Sequence, residues 1–404
     1  LENQNSSIEN NIEQIISQIH GSPYKISLFI TGGGTEVIGE LLKRGSGSST
    51  LIEAYVPYSS KAFIDFFGKE PEKFASAKTA REMAMIAYQR ALKICKEDET
   101  AENIIGIGVT CKLAKEGKER EEREHEIHFA SQTFLKSTST SLKIKDKRGR
   151  EEEEKLASIL ILHEIAKLCD VLQSNEKLNA IIPKAGKISE VKSNVDVKTG
   201  DLLVKTLCNS EYSEKESVKI YSNNNERTDQ PKLILSGSFN PCHKNHMLMA
   251  KIASAKYQMP VNFEISLANV DKPPIDFISL NSRLESLKIS INHAQELVDS
   301  IYLTNAPLFA DKASLFPDSR FIIGSDTLNR LFNVNYYRKG EDKFTLLNHF
   351  KKLNTRFVVY QRKDIEPIVD EDILQICDII PFEDYEDDGT SSTKIRENKK
   401  ENNY

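Results

Sequence analysis

Two hydrophobic rhythms take turns along this chain: short apolar runs of strand length, and apolar positions three or four apart as on one face of a helix. Ile8, Ile12, Ile15, Ile16 and Ile19 mark an amphipathic lead helix within residues 1–24. A strand is predicted over 25–30, running into Thr31-Gly32-Gly33-Gly34-Thr35. Val37, Ile38, Leu41 and Leu42 then give a helix that stops near Gly45. The spacing predicts further strands over 51–56, 104–109 and 127–131, with helices after residue 61, over 76–93 and over 151–172. Residues 173–230 hold no sustained period; a small strand pair, 201–206 with 217–221, is the most they predict. From Lys232 the alternation resumes, with strands over 232–236, 261–267, 299–304, 320–323, 355–360 and 377–382 and helical stretches between most of them. Such alternation predicts a parallel sheet wound with helices on both faces. The fold class expected is α/β in two domains, residues 25–175 and 231–404, with 176–230 as a connecting segment.

Composition narrows the class. The 404 residues leave room for two or three independent cores. A net charge of −5 and a pI near 6.0 argue against a nucleic-acid partner, so an anionic ligand needs a local site. Cys95, Cys111, Cys169, Cys208, Cys242 and Cys377 have no paired spacing, which suits reduced thiols and neither a disulfide framework nor a zinc knuckle. No signal-peptide pattern opens the sequence and no run of about 18 apolar residues occurs, so a cytoplasmic protein with no membrane partner is expected. The charge-dense stretches 116–126 and 143–155 fit a solvated loop and helix face better than docking surfaces.

The chemistry concentrates where the second alternating region begins. Leu233-Ile234-Leu235 reads as a buried strand, Gly237-Ser238-Phe239-Asn240-Pro241 must end it, and a helix starts near His246. A glycine turn leading into a helix N-terminus offers unpaired N–H groups to a phosphate. His243 and His246, one helical turn apart, would add two imidazole donors on one face. Taken alone, His-x-x-His fits surface residues or a metal site as well as a nucleotide site. Further on, Gly324-Ser325-Asp326 follows the predicted strand 320–323, and Thr390-Ser391-Ser392-Thr393-Lys394-Ile395-Arg396 offers a helix cap with a guanidinium one turn on.

Together these stretches resemble the nucleotidylyltransferase superfamily, nearest to its nicotinamide mononucleotide (NMN) and nicotinate mononucleotide adenylyltransferases. GSFNPCHKNH is similar to the motif Gly-x-Phe-x-Pro-x-His-x-Gly-His, and residues 390–396 are similar to Ile-Ser-Ser-Thr-x-Ile-Arg. Two departures stand out: Asn245 in place of glycine, where its side chain is expected to crowd a nucleotide, and Thr390 in place of isoleucine. The resemblance implies that His243, His246 and Arg396 are catalytic. It implies nucleotide contacts from Gly237, Ser238, Phe239, Asn240, Lys244, Gly324, Asp326, Ser391, Ser392 and Thr393. Arg283, Lys339 and Arg362 are further candidate phosphate contacts. The implied reaction is attack by a phosphate oxygen of a small phosphorylated acceptor on the α-phosphorus of ATP, with magnesium bridging the phosphates and pyrophosphate leaving.

The first domain, residues 25–172, is similar to the C-terminal domain of the CinA family, the NMN amidohydrolases. Thr31-Gly32-Gly33, Tyr58-Ser59 with Lys61, Arg81-Glu82-Met83-Ala84 and Gly108-Val109-Thr110 carry that likeness. Where the family has Glu-Ser-Cys-Thr-Gly-Gly, with the serine as implied nucleophile, this chain has Leu28-Phe29-Ile30-Thr31-Gly32-Gly33. Phenylalanine cannot attack a carbonyl. Ser27, two positions away, is expected on the strand's other face. Thr31, Gly32, Gly33, Tyr58 and Lys61 are therefore expected to form a degenerate, non-catalytic site. Two rivals to adenylyl transfer remain at this point: transfer to another phosphorylated acceptor or from CTP, and a nucleotide-binding sensor or scaffold without turnover. A homo-oligomer is left open.

Overall fold

Two β-sheets organise the chain, each inside its own unit. Unit 1 comprises Leu1–Gly200 with Asp276–Ile278, and unit 2 comprises Asp201–Ile275 with Ser279–Tyr404. The structure, a computed structural model, describes residues 2–43, 45–96, 100–115, 123–146, 148–171, 182–208, 214–223, 232–268, 274–338, 340–362, 365–368, 370–385 and 388–401. Lys339 and most of the charged stretch 116–126 lie outside the described residues. Among the described residues, no helix is long and apolar enough to cross a membrane. The fold is α/β in two domains.

Unit 1 has six strands: β1 (Lys25–Thr31), β2 (Leu51–Tyr55), β3 (Ile104–Lys112), β4 (Glu126–Gln132), β5 (Lys136–Ile144) and β6 (Gly186–Asn194), in the order β2-β1-β3-β4-β5-β6. The first three in that order are parallel and the remaining pairs antiparallel. Strand β1 is buried on both faces, which is why it reads as one apolar run. Ile26, Leu28 and Ile30 join Ile15, Ile16 and Ile19 of the lead helix Glu2–His20 and the helix Arg150–Leu168. Phe29 joins Phe63, Phe67, Met83 and Ala87 on the opposite side.

Three elements depart from the sequence reading. Strand β5 was not predicted because it has no apolar alternation: Ser137, Thr138, Ser139 and Thr140 are buried hydroxyls. Its hydroxyls find polar partners, as in the Ser131–Thr138 contact of 2.7 Å and the bond from Thr140 to Glu164 of 3.0 Å, so burial costs little. Strand β6 is an exposed edge strand and carries no core signal. Residues 201–206, predicted as a strand, belong to the helix Val197–Cys208, whose Leu202, Leu203 and Leu207 bury one face. Asp196 accepts the Thr199 N–H at 2.8 Å and starts that helix.

Unit 2 holds β7 (Ser217–Ser222), β8 (Leu233–Ser236), β9 (Val261–Ser266), β10 (Val298–Thr304), β11 (Arg320–Gly324), β12 (Arg356–Tyr360) and β13 (Cys377–Ile380). The order is β13-β12-β11-β8-β9-β10-β7. All neighbours are parallel except β7, the strand predicted over 217–221, which runs antiparallel along β10 and not beside residues 201–206. Sequence order reverses between β8 and β11. In such sheets ligands bind outside the carboxyl ends of the strands at that reversal. The loops after these two strands are the Gly237 loop and the Gly324 loop.

Candidate active site

The Gly237 loop is held from beneath. The Gly237 N–H donates to the Glu264 carbonyl on β9 at 3.1 Å. Phe239 takes the left-handed region (φ 42°) and is fully buried, its ring edge-on to Phe263 at 5.2 Å and to His246 at 5.1 Å. Its side chain, expected among the nucleotide contacts, is therefore a core residue that sets the loop's course. His243 caps the helix Lys244–Tyr257, and its backbone N–H donates to Nδ1 of His246 at 3.2 Å. The two imidazoles lie nearly face to face, 3.7 Å between centroids. With Nδ1 of His246 accepting, its Nε2 carries the proton and is the nitrogen able to donate. Burial, followed by the neighbouring His243 and Arg362, pulls the His246 pKa down to about 3, so this imidazole is neutral at pH 7.

The C-terminal motif folds back onto this loop. Arg396 Nη1 donates to the Asn240 carbonyl at 2.5 Å and Nη2 to Thr393 Oγ1 at 3.1 Å. Ser392 Oγ donates to the Pro241 carbonyl at 2.9 Å, and Ser391 Oγ accepts the Lys394 N–H at 3.2 Å, capping the helix Ser392–Glu401. Asn245 is buried, and its amide donates to Asp388 at 3.0 Å and to the Thr390 carbonyl at 3.3 Å. It thus ties the C-terminal motif to the histidine helix; the expected crowding of a nucleotide has no counterpart in where this side chain points. Lys244, expected to add charge beside a phosphate, pairs with Asp388 instead.

Gly324 has its own reason. A Cβ there would come within 2.5 Å of Asp326 Oδ1 and 3.0 Å of Arg362 Nε, so a side chain would displace the Asp326–Arg362 pair, 3.7 Å apart. Arg362 lies close enough to His246 to disfavour its protonation, which places the Gly324 loop and the histidines in one neighbourhood.

A cavity of about 610 Å³ opens beside these loops. Six of the residues implied as catalytic or nucleotide contacts line it: Gly237, Ser238, Asn240, Ser392, Thr393 and Arg396. Arg283 also lines it and donates to the Ser238 carbonyl at 3.3 Å. His243, His246, Lys244, Ser391, Gly324 and Asp326 stand off this wall. Arg283, Lys312, Arg330 and Arg396 face it against one acid, Glu341, so the wall favours an anionic ligand. Apolar surface from Phe309, Leu331, Leu346 and Phe350 completes it. Sequence reasoning missed Lys312 and its buried partner Glu264. The available signal was a glutamate inside the apolar strand Val261–Ser266, since a carboxylate buried there requires a cation.

Unit 1 places its predicted residues differently. Gly32 is left-handed (φ 83°), and a Cβ there would sit 2.1 Å from the Cys111 carbonyl oxygen, so the turn needs glycine. Thr31 Oγ1 donates to the Pro57 carbonyl at 3.1 Å, joining this loop to the turn after β2, where Tyr58 and Lys61 are exposed. At the helix start Glu154 accepts the Thr35 N–H at 2.7 Å and its hydroxyl at 3.0 Å, so a carboxylate already sits against this turn. Arg150 donates to the Gly32 carbonyl at 3.0 Å. Phe29 sits fully buried, 5.0 Å from Phe66 and 5.8 Å from Tyr55. Ser27, expected on the other face of β1, is on the same face as Phe29, because a strand repeats every two residues. Its hydroxyl donates to Glu53 at 3.0 Å, and Glu53 is held by Arg90 of the helix that also packs Phe29.

Residues 234–398, the part of the chain carrying both motifs, match the Cytidylyltransferase-like family, which supports the nucleotidylyltransferase superfamily for that part. Among solved structures the chain is similar to the competence/damage inducible protein CihA from Agrobacterium tumefaciens, at 18% identity and a TM-score of 0.28, covering 43% of this chain and 95% of that one. No curated protein sequence matches.

Proposed function

We propose that residues 231–404 transfer an adenylyl group from ATP to the phosphate of a mononucleotide such as NMN or nicotinate mononucleotide, releasing pyrophosphate. The observation that carries this is the junction of the two motifs: Arg396 and Ser392 bind the carbonyls of Asn240 and Pro241, the residues just before His243, at the edge of a cation-lined cavity. Generic nucleotidyl transfer has the support of the family match; ATP and the acceptor are the finer part of the proposal.

In this reading no side chain forms a bond to the substrate. Arg396, with the Ser391–Thr393 turn, holds the β- and γ-phosphates, and the neutral His246 donates from Nε2 to the α-phosphate while His243 does the same one turn away. Both would stabilise charge that grows on the transferring group, which is where preorganised donors act most strongly. Among the described residues no three His, Cys, Asp or Glu side chains are grouped to hold a cation. Magnesium would therefore be held by phosphate oxygens and water, as small hard cations commonly are, and when bound it neutralises phosphate charge. The test is pyrophosphate release from purified full-length protein with magnesium, ATP or CTP, and a panel of phosphorylated acceptors. Release with ATP and a pyridine mononucleotide supports the proposal. Release only with CTP or another acceptor replaces its finer part, and tight ATP binding without release replaces it with a sensor.

A further inference from the structure

Strand β6 closes the sheet of unit 1 on one side and is open along its outer edge. Among the described residues β5 is its one strand neighbour, and every residue from Lys187 to Lys192 is exposed. The other sheet edges, β2, β7 and β13, have five, six and four residues with most positions partly covered; β6 has nine. No proline interrupts β6, and no bulge breaks its register with β5. Proteins commonly shorten, kink or bulge an exposed edge, because its unpaired N–H and C=O groups are a template for a further strand. Here none of those guards is present.

The backbone fixes which groups face outward. The Val195 N–H donates to the Leu135 carbonyl and the Lys145 N–H to the Ala185 carbonyl, both at 3.0 Å. In an antiparallel pair, facing residues exchange such bonds at alternate positions. The odd-numbered residues of β6 therefore bond to β5, and Ile188, Glu190, Lys192 and Asn194 turn their N–H and C=O groups to the open side. An antiparallel strand of the same sequence must bring those positions face to face. A twofold axis at Glu190 opposes two carboxylates, and one at Lys192 opposes two ammoniums, both destabilising. An axis at Ser189 sets Ile188 against Glu190 and Lys187 against Val191. An axis at Val191 does better on every pair. It sets Glu190 opposite Lys192 twice, Ser189 opposite Ser193 twice, and Val191, 53% exposed in the single chain, against its own copy. Glu190 is already steadied by Lys167 at 3.1 Å.

We propose that β6 is a dimerisation edge: two copies of this chain pair antiparallel through residues 188–194, about a twofold axis at Val191, joining two six-stranded sheets into one. The opposite charges set the register, the β-branched pair lies on the axis, and main-chain bonds supply the rest.

The experiment is sedimentation equilibrium of the purified protein over a concentration series, in wild type, Lys192→Pro, Glu190→Lys, Lys192→Glu and the double variant Glu190→Lys/Lys192→Glu. One strand pair covers less than a standard interface, so dissociation on the order of 10 μM is expected, the mass rising from 45.7 kDa toward twice that value. Lys192→Pro removes an outward N–H and no bond to β5, a position where a strand tolerates proline. It should keep the wild-type melting profile and remain monomeric. Each single charge reversal should weaken association roughly tenfold, and the double variant, which exchanges the partners, should recover it. Val191→Cys decides independently of whether the proline variant folds. Oxidation should link two copies at residue 191, where facing Cα atoms of such a pair lie about 4.5 Å apart; a wild-type control accounts for the native cysteines. A monomer at every concentration, a dimer retained by folded Lys192→Pro, a double variant no tighter than the single ones, or no link at residue 191 each overturns the pairing.

Discussion

The two units present the same local construction, a parallel strand, a glycine-rich turn and a helix, and surround it with different side chains. After β1, Thr35 at the helix start gives its N–H and hydroxyl to Glu154 from the same unit, and Phe29 packs on the strand among other aromatic rings. After β8, the turn is braced by Phe239 from below and bordered above by a cavity with four cations on its wall. A glycine turn on a helix is thus only a backbone opportunity. Whether an anion can use it depends on which side chain arrives from elsewhere in the chain, and a carboxylate has arrived in one unit and a guanidinium in the other.

The strongest way to break this contrast is His243→Ala. Loss of one preorganised donor should lower turnover by about 10² to 10³, measured as pyrophosphate release, with an unchanged melting profile. A fall of less than a factor of two would remove the histidine pair from the mechanism. Phe29→Ala acts on the other unit. Emptying a fully buried aromatic site should cost about 3–5 kcal/mol in denaturant unfolding and leave nucleotidyl transfer unaffected below the transition. Loss of transfer in a folded Phe29→Ala protein would mean that the two units are not functionally separate.

A pH experiment sharpens the contrast from the histidine side. The His246 pKa is lowered in the folded protein, from 6.5 to about 3, so the unfolded chain binds the extra proton first. Stability is then fully present above about pH 6.5 and falls with decreasing pH through the window down to about 3, by about 1.4 kcal/mol per unit from this group. Comparing urea midpoints of wild type and His246→Asn between pH 7 and pH 4 isolates that slope; parallel curves would show that His246 is not held neutral. The smallest effect expected is that of Asn245→Ala, which deletes the bonds to Asp388 and Thr390. Two hydrogen bonds of this kind should raise the KM for ATP about fivefold and change the KM for the acceptor little. An improved KM would instead mean that Asn245 does crowd the nucleotide.

Much of the architecture was legible because burial on two faces leaves a plain mark. The β1 and β8 to β13 segments are apolar runs bounded by turn formers, and Asn240, Ser392 and Arg396 belong to local strings whose order along the chain is itself informative. Strand β5 was illegible for the converse reason, since its buried positions are hydroxyls satisfied by partners on β4 and on the helix Arg150–Leu168. The helix Val197–Cys208 was misread because its three buried leucines sit in a short polar stretch that also suits a strand.

Local patterns along the sequence were enough to determine two α/β domains, a glycine turn that leads through a histidine pair into a helix, and an apolar first strand with Phe29 inside it. Tertiary structure alone decided that Glu154 occupies the first glycine turn, that Asn245 faces the C-terminal loop and not the cavity, and that Lys312 meets Glu264. The physical reason is one of range. Periodicity and turn chemistry are set by neighbours a few residues apart, whereas a charge finds its partner across 48 residues in one case and 143 in another, and only the folded chain brings those ends together.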